Sequence, residues 1–351
     1  MANKRVDSPT CSRIALRILF MVASAKQWEL HSLDVTAAFL QGKNLTRDVF
    51  VRPPSDIGRT GLVWRLKRCL YGLSDAPREW YDRVKEKLVE LNAVVCQYDN
   101  AMFLWQECGE LFGVIVVHVD DFLFCGTLKW HEIVINALTE TFKISKREFG
   151  AFKYIGLDIM QTEKGIFVHQ ENYVKELQEI EISMERKLQP DSNLTPSEQD
   201  VMRSVSGQLL WASSRTRPDL AFQTCQLSNY GADATVHALV EANKTIRKAK
   251  SSSYSLSFPT LGEPNKMKVV VYGDASHGSL PNGGSQGGCV VFLQGNGRCA
   301  PITWKSKKLE RVTKSPLASE ISAIADASDS GFLVASIIKQ VFAWLGFLQL
   351  N

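Results

Sequence analysis

The sequence predicts an α+β fold, and three observations lead to it. Residues 113–126 place two apolar runs, each β-branched or aromatic and about strand length, on either side of the adjacent carboxylates Asp120 and Asp121. Helical patterns over 14–25, 70–91 and 129–142 lie among short strands. From Lys268 a new unit begins, with an apolar strand, a glycine turn, two more strands and then a helix.

The run around Asp120 and Asp121 reads as a tight hairpin with both acids at its tip. Two Asp can simply make a turn, although turns of that length more often carry Asn-Gly or Asp-Gly. Like charges held together between hydrophobic strands repel each other and cost desolvation. A divalent cation removes both costs. Such a site needs more carboxylate than one hairpin supplies, and Asp34, delivered by a strand over 28–33, is the candidate.

Ahead of that strand, Asp7, Ser8, Pro9 and Thr10 read as a helix start. After it, Ala37-Ala38-Phe39 suits a close-packed turn into helix. Residues 49–51 form a short strand before a Pro-Pro loop reaching Gly58, and 62–68 form an alternating strand with Arg65, Lys67 and Arg68. With Arg78, these cations suit a phosphate-backbone track or a solvated face equally. Gly72 permits close backbone approach, and Pro77 stands where a helix start tolerates proline.

Residues 98–105 lead through a turn at Gly109 into the central hairpin. A second hairpin is expected over 152–159 and 165–170, then a helix from Gln170, a polar loop over 181–198 with Pro190 and Pro196, and helices to about Lys250. Lys244, Arg247, Lys248 and Lys250 again offer a nucleic-acid track or a solvated face. In the last unit Asp274 ends a strand and Glu320 lies on the following helix; the glycines from Gly283 are no dinucleotide fingerprint, because no helix follows them. The apolar run over 331–350 nears membrane-spanning length, but Lys339 and Gln340 interrupt it, so a buried helix is expected.

The 351 residues suit two or three domains, and 45% apolar with 22% charged residues suits a soluble globular protein. A net charge of +4 is compatible with nucleic acid without demanding it. Eight scattered Cys with no C-x-x-C pair argue against zinc and for reduced thiols in the cytoplasm or nucleus. The N-terminus leads to no long apolar core, which argues against a secretory signal.

Leu33-Asp34-Val35-Thr36-Ala37-Ala38-Phe39-Leu40-Gln41-Gly42, then Leu70-Tyr71-Gly72-Leu73-Ser74-Asp75-Ala76-Pro77-Arg78-Glu79-Trp80-Tyr81, then His118-Val119-Asp120-Asp121 resemble, in order and spacing, the palm of copia-type retrotransposon reverse transcriptases. Further matches run almost to the end of the chain. The resemblance implies a polymerase palm with the fingers largely missing over 1–180, a thumb- or connection-like helical region over 181–262, and a truncated ribonuclease H-like domain over 263–351. It implies Asp34, Asp120 and Asp121 as ligands of Mg²⁺ or Mn²⁺ and Phe39 as the gate against a ribose 2′-hydroxyl. Gly72 and Pro77 would support the incoming nucleotide, and Asp274 and Glu320 would be the ribonuclease H-like acids. The partners implied are a primed RNA or DNA template and deoxynucleoside triphosphates, with no membrane. Where the family usually has Lys-Gln, this chain has Ser74-Asp75. On this reading the chain alone extends primers poorly for want of fingers. The hybrid-cutting acid that follows the helix in the family is missing too, with Asp326 and Asp329 poor substitutes. The alternative implied is an inactive retrotransposon remnant that at most binds nucleic acid.

Overall fold

The computed structural model describes residues 7–57, 61–280, 283–342 and 348–350. The expected loop residue Gly58 and the part of the C-terminal run over 343–347 lie outside them. The described residues fall into two units, one of 7–150 together with 340–342 and the other of 151–339 together with 348–350.

The first unit is a six-stranded antiparallel sheet with helices on it. In chain order come α1 (Arg13–Lys26), β1 (His31–Val35), a 3₁₀ turn (Ala38–Gln41), the small pair β2 (Phe50–Val51) and β3 (Trp64–Arg65), and α2 (Ala76–Glu90). Then follow β4 (Val94–Val95), β5 (Met102–Glu107), β6 (Glu110–His118) and β7 (Asp121–Gly126). The helical stretch after it is α3 (Leu128–Trp130), a π-helical turn (His131–Ile135) and α4 (Asn136–Thr141); β8 (Ile144–Phe149) completes the unit. The sheet order is β4-β5-β6-β7-β1-β8.

The apolar runs of β6 and β7 are continuous because both faces of the sheet are covered. Ile115, Val117, Phe122 and Phe124 join a core with Trp80, Val84 and Leu88 of α2 and with Trp130 and Leu138. Alternation turns Val114, Val116, Leu123 and Cys125 to the other face, and α1, buried at every residue from Ala15 to Ser24, packs against β6 and β7. The helix start differs from the expected one. Ser12, whose hydroxyl accepts the Ala15 amide at 3.1 Å, is the N-cap, because its own amide is held by Asp99 at 2.8 Å. Likewise α2 begins only at Ala76, with Leu70 to Asp75 forming the turns before it, and the expected strand over 62–68 shrinks to the two residues of β3.

Gly113 and Gly126 face each other across β6 and β7. A Cβ on Gly113 would lie 2.2 Å from the Trp130 indole, and one on Gly126 2.3 Å from it. The glycine pair is thus a notch that seats the indole.

The second unit opens with β9 (Ala151–Tyr154), β10 (Leu157–Thr162) and β11 (Gly165–His169). Helices follow: α5 (Glu171–Glu176), α6 (Met184–Lys187), α7 (Pro196–Arg215), α8 (Ala221–Asn229) and α9 (Val236–Lys250). Thr195 and Glu198 form a reciprocal capping box at the start of α7, so the polar loop ends there. Leu209, Val236, Leu239 and Ile246 form the core of this bundle. The chain then returns as β12 (Ser255–Phe258), which pairs with β11 and gives a four-stranded sheet where a hairpin was expected.

The last part holds β13 (Lys268–Ser276), β14 (Gln286–Gly295), β15 (Arg298–Lys308), α10 (Pro316–Phe342) and β16 (Leu348–Leu350). The sheet order is β15-β14-β13-β16, with β16 parallel to β13 and the other pairs antiparallel. The apolar run over 331–350 is therefore no helix of its own. Its first part continues α10 and its end is a strand, because a parallel partner at β13 satisfies backbone that a helix end leaves open. By length and composition α10 is long and apolar enough to cross a membrane, yet Ala323, Ala327, Val334, Ile337 and Ile338 are buried.

Gly113→Ala tests the notch. The added methyl has nowhere to go against a buried indole, so the variant should unfold with roughly 1–3 kcal/mol less stability in a denaturant titration. An unchanged midpoint would mean that the indole moves aside.

Candidate active site

Pairing of β1 with β7 sets Asp34 directly opposite Asp121. Residues directly opposed in an antiparallel pair share a face, so both carboxylates leave the sheet on the same side. His118 pairs with Asp121, which leaves a two-residue turn of Val119 and Asp120. Val119 has φ +59°, a rare conformation for a β-branched residue and one that hairpins usually give to glycine. The turn is held on two sides: Trp80 Nε1 donates to the Val119 carbonyl at 2.7 Å, and the Val35 amide donates to the Asp120 carbonyl at 3.0 Å. On β8, Ser145 donates its hydroxyl to the Asp34 carboxylate.

Burial, then the charges of Asp120 and Asp34, push Asp121 up to about 6. The three acids are therefore within electrostatic reach of one another, and the cost expected from their clustering is present. Among the described residues, no group of three or more His, Cys, Asp or Glu is arranged to hold a metal by itself. The donor set still fits a hard divalent cation. Mg²⁺ takes oxygen ligands and is commonly held by one or two carboxylates, with substrate phosphates and water completing its shell.

Phe39 lies on the 3₁₀ turn after Ala37, which adopts φ +49°. It is partly buried against the core, and its ring meets Tyr71 with centroids 4.7 Å apart. Gly72 has φ +98°, and a Cβ there would meet nothing within 4 Å. Backbone conformation, not crowding, calls for glycine here. Pro77 is in the first turn of α2. Asp75 is buried and accepts two hydrogen bonds from Arg47 Nη2, at 2.8 and 3.0 Å, and one from Nε at 3.2 Å. Ser74-Asp75 thus stands in place of Lys-Gln with its acid engaged in an ion pair.

In the second unit, Glu320 Oε2 accepts the amide of Ala275 at 3.1 Å, which brings Glu320 beside the backbone of Asp274. Gly273 permits it: a Cβ there would lie 2.8 Å from Ala327 on α10. Asp326 pairs with Lys307 at 2.9 Å, and Asp329 is exposed. Next to these acids His277 Nδ1 lies 2.9 Å from the buried hydroxyl of Ser319. Neither residue was singled out from the sequence.

Most of the basic clusters are engaged locally. Arg65 pairs with Asp48 at 2.7 Å, Arg78 with Asp82 at 3.0 Å, Lys244 with Glu241 at 2.7 Å and Arg247 with Glu179 at 3.2 Å. Lys248 donates to the Asp219 carbonyl at 2.9 Å. Sequence reasoning also missed Ser145 and the individual weight of Trp80. Ser145 gave no signal, whereas Trp80 stood inside a recognised segment.

The chain is similar to known proteins. The sequence profile described as reverse transcriptase (RNA-dependent DNA polymerase) matches residues 2–187. A retrovirus-related Pol polyprotein from transposon RE1 of Arabidopsis thaliana is 27% identical over 95% of this chain. The putative transposon Ty5-1 protein YCL074W of Saccharomyces cerevisiae is 29% identical over 81% of this chain and 95% of its own length. The chain spans 23% of the RE1 protein and 23% of the similar RE2 protein. Among solved structures, a foamy viral protease–reverse transcriptase in complex with an RNA/DNA hybrid aligns with a TM-score of 0.53 at 12% identity, over 94% of this chain and 39% of that one. At that identity the likeness is one of fold.

The raised Asp121 value makes a pH prediction. The unfolded chain releases this proton near the ordinary carboxylate value, while the folded protein keeps it to about pH 6. Folding therefore takes up a proton, and stability contributed here falls as pH rises from about 4 through 6. Without divalent cation, Asp121→Asn should gain on the order of 2 kcal/mol relative to the parent across that window. Denaturant titrations at pH 4 and 7 check it; parallel profiles for the two proteins would refute it.

Proposed function

Since the chain belongs to the reverse transcriptase (RNA-dependent DNA polymerase) family, we propose that its first unit is a polymerase palm that extends a primer on an RNA or DNA template using deoxynucleoside triphosphates. The observation that carries this reading is the β1–β7 pairing, which sets Asp34 opposite Asp121 beside a strained turn bearing Asp120. Asp34 and Asp120 would hold the divalent cations, Mg²⁺ or Mn²⁺, with Asp121 in support. Ions held there would supply activation of a primer 3′-hydroxyl and neutralisation of the charge on the triphosphate and the departing pyrophosphate. The protein's part is position and charge, not covalent chemistry. Ser145 orients the Asp34 carboxylate. Phe39, backed by Tyr71, occupies the space a ribose 2′-hydroxyl would need, and Gly72 and Pro77 shape the floor under the nucleotide.

We assign the sheet of β9 to β12 with helices α5 to α9 to the primer-gripping and connecting region. The last part is ribonuclease H-like: three antiparallel strands, a helix, and a strand parallel to the first, with Asp274 and Glu320 as its acids. A second reading applies to this part alone, that it binds a hybrid without cutting it. It is favoured by the Lys307–Asp326 ion pair, which engages the acid nearest to Glu320 along α10. Incubating the chain with an RNA–DNA hybrid and Mg²⁺ should leave the RNA intact; degradation lost in Glu320→Gln would reject that reading. None of the eight cysteines is in a disulfide, which supports an intracellular protein of the cytoplasm or nucleus.

Primer extension, with a fingers segment from a related element supplied to raise the poor extension expected of the chain alone, tests the palm. Asp120→Asn should lower Mg²⁺-dependent extension by about a hundredfold or more while unfolding stays cooperative. Extension equal to the parent would remove Asp120 from the site. Phe39→Val should raise ribonucleotide use relative to deoxynucleotide by roughly tenfold. Unchanged discrimination would leave Phe39 as core packing.

A further inference from the structure

We propose that Trp80 is a positioning residue for polymerisation: its indole N–H fixes the strained hairpin turn that carries Asp120 and Asp121. The inference rests on the palm reading above and adds a residue to it.

Three observations converge on this bond. Val119, first residue of the turn, is held at φ +59°, where a β-branched side chain is strained. Such a turn relaxes unless its surroundings hold it. Second, the carbonyl of that same residue accepts from Trp80 Nε1 at 2.7 Å, a short bond for an N–H donor. Third, Trp80 cannot swing away. It is 1% exposed, and its ring lies edge-on to Phe142 with centroids 5.1 Å apart. The indole therefore couples α2 to the peptide that joins Val119 to Asp120. On the far side, the Val35 amide holds the Asp120 carbonyl from β1, the strand that carries Asp34. The two bonds fix successive carbonyls of the turn, and through them the direction in which the Asp120 carboxylate leaves the backbone.

If Trp80 acts only as packing, a ring of similar size replaces it. If it clamps a strained turn, the N–H matters, and it matters less once the strain is gone. Glycine adopts φ +59° freely, so Val119→Gly removes the strain. Four full-length proteins separate the cases: the parent, Trp80→Phe, Val119→Gly and the double variant. Mn²⁺ affinity is read by electron paramagnetic resonance, and extension by kcat and KM for deoxynucleotide.

Trp80→Phe should weaken Mn²⁺ binding about tenfold and lower kcat by a factor of about ten to a hundred, with KM within about twofold. In the Val119→Gly background the same substitution should change Mn²⁺ affinity by less than about twofold. Mn²⁺ affinity and kcat unchanged in Trp80→Phe would overturn the inference and leave the palm reading standing. An equal loss in both backgrounds would also overturn it, since that is the signature of packing. If Trp80→Phe does not fold, the Val119→Gly pair decides: equal affinities support the clamp and a tenfold loss rejects it. A parent protein that neither extends primers nor binds Mn²⁺ in an Asp120-dependent way would remove the palm reading and this inference together.

Discussion

Everything at the first site depends on the register between β1 and β7. It sets Asp34 against Asp121 at the end of a sheet covered on both faces. Neither acid would choose that place. Burial and the neighbouring charges raise the cost of the charged form of Asp121, which shows it in its raised value. The fold tolerates this because the rest of the hairpin is strongly favourable. Val117, Phe122 and Phe124 are buried beside the acids, and their burial outweighs a local electrostatic cost of a few kcal/mol. A hydrophobic hairpin thus carries a charged tip into position.

The hairpin, the helices and the late strand–helix unit were legible because each has a periodicity or a breaker residue. The candidate acids were legible as sequence neighbours in recognisable segments. What remained hidden was set by tertiary pairing. Whether Ser145 or any other β8 residue would reach Asp34 depends on a strand neighbour supplied more than a hundred residues later. The strand β12 follows five helices before returning to β11. The strand β16 hides in an apolar run that reads as helix until a parallel partner is known. The helix start at Ser12 was misplaced because Asp99, far along the chain, holds its amide. Ser74-Asp75 read as a departure from the family; only the structure shows the Arg47 partner that makes a buried acid tolerable.

The two units place their acids by different means. In the first, carboxylates are brought together by strands directly paired. In the second, Glu320 arrives on a helix and reaches the Ala275 amide next to Asp274, and glycine supplies the close approach at Gly273. A strand pair fixes spacing by hydrogen-bond register. A strand and a helix fix it by the width of the side chains between them, which leaves that geometry open to tuning by single small-residue substitutions.

The notch formed by Gly113 and Gly126 has a bearing on how this hairpin tolerates change over evolutionary time. Only that opposed pair can lie under the Trp130 indole, so the notch counts residues: the tip must come a fixed number of positions further on. Loss or gain of one residue between the notch and Val119 would turn every side chain on that arm to the opposite face and move the acids out of line with Asp34. Substitutions of apolar for apolar are absorbed by repacking. Length changes have no such outlet, so drift in this segment should be confined to side-chain identity while its length stays frozen.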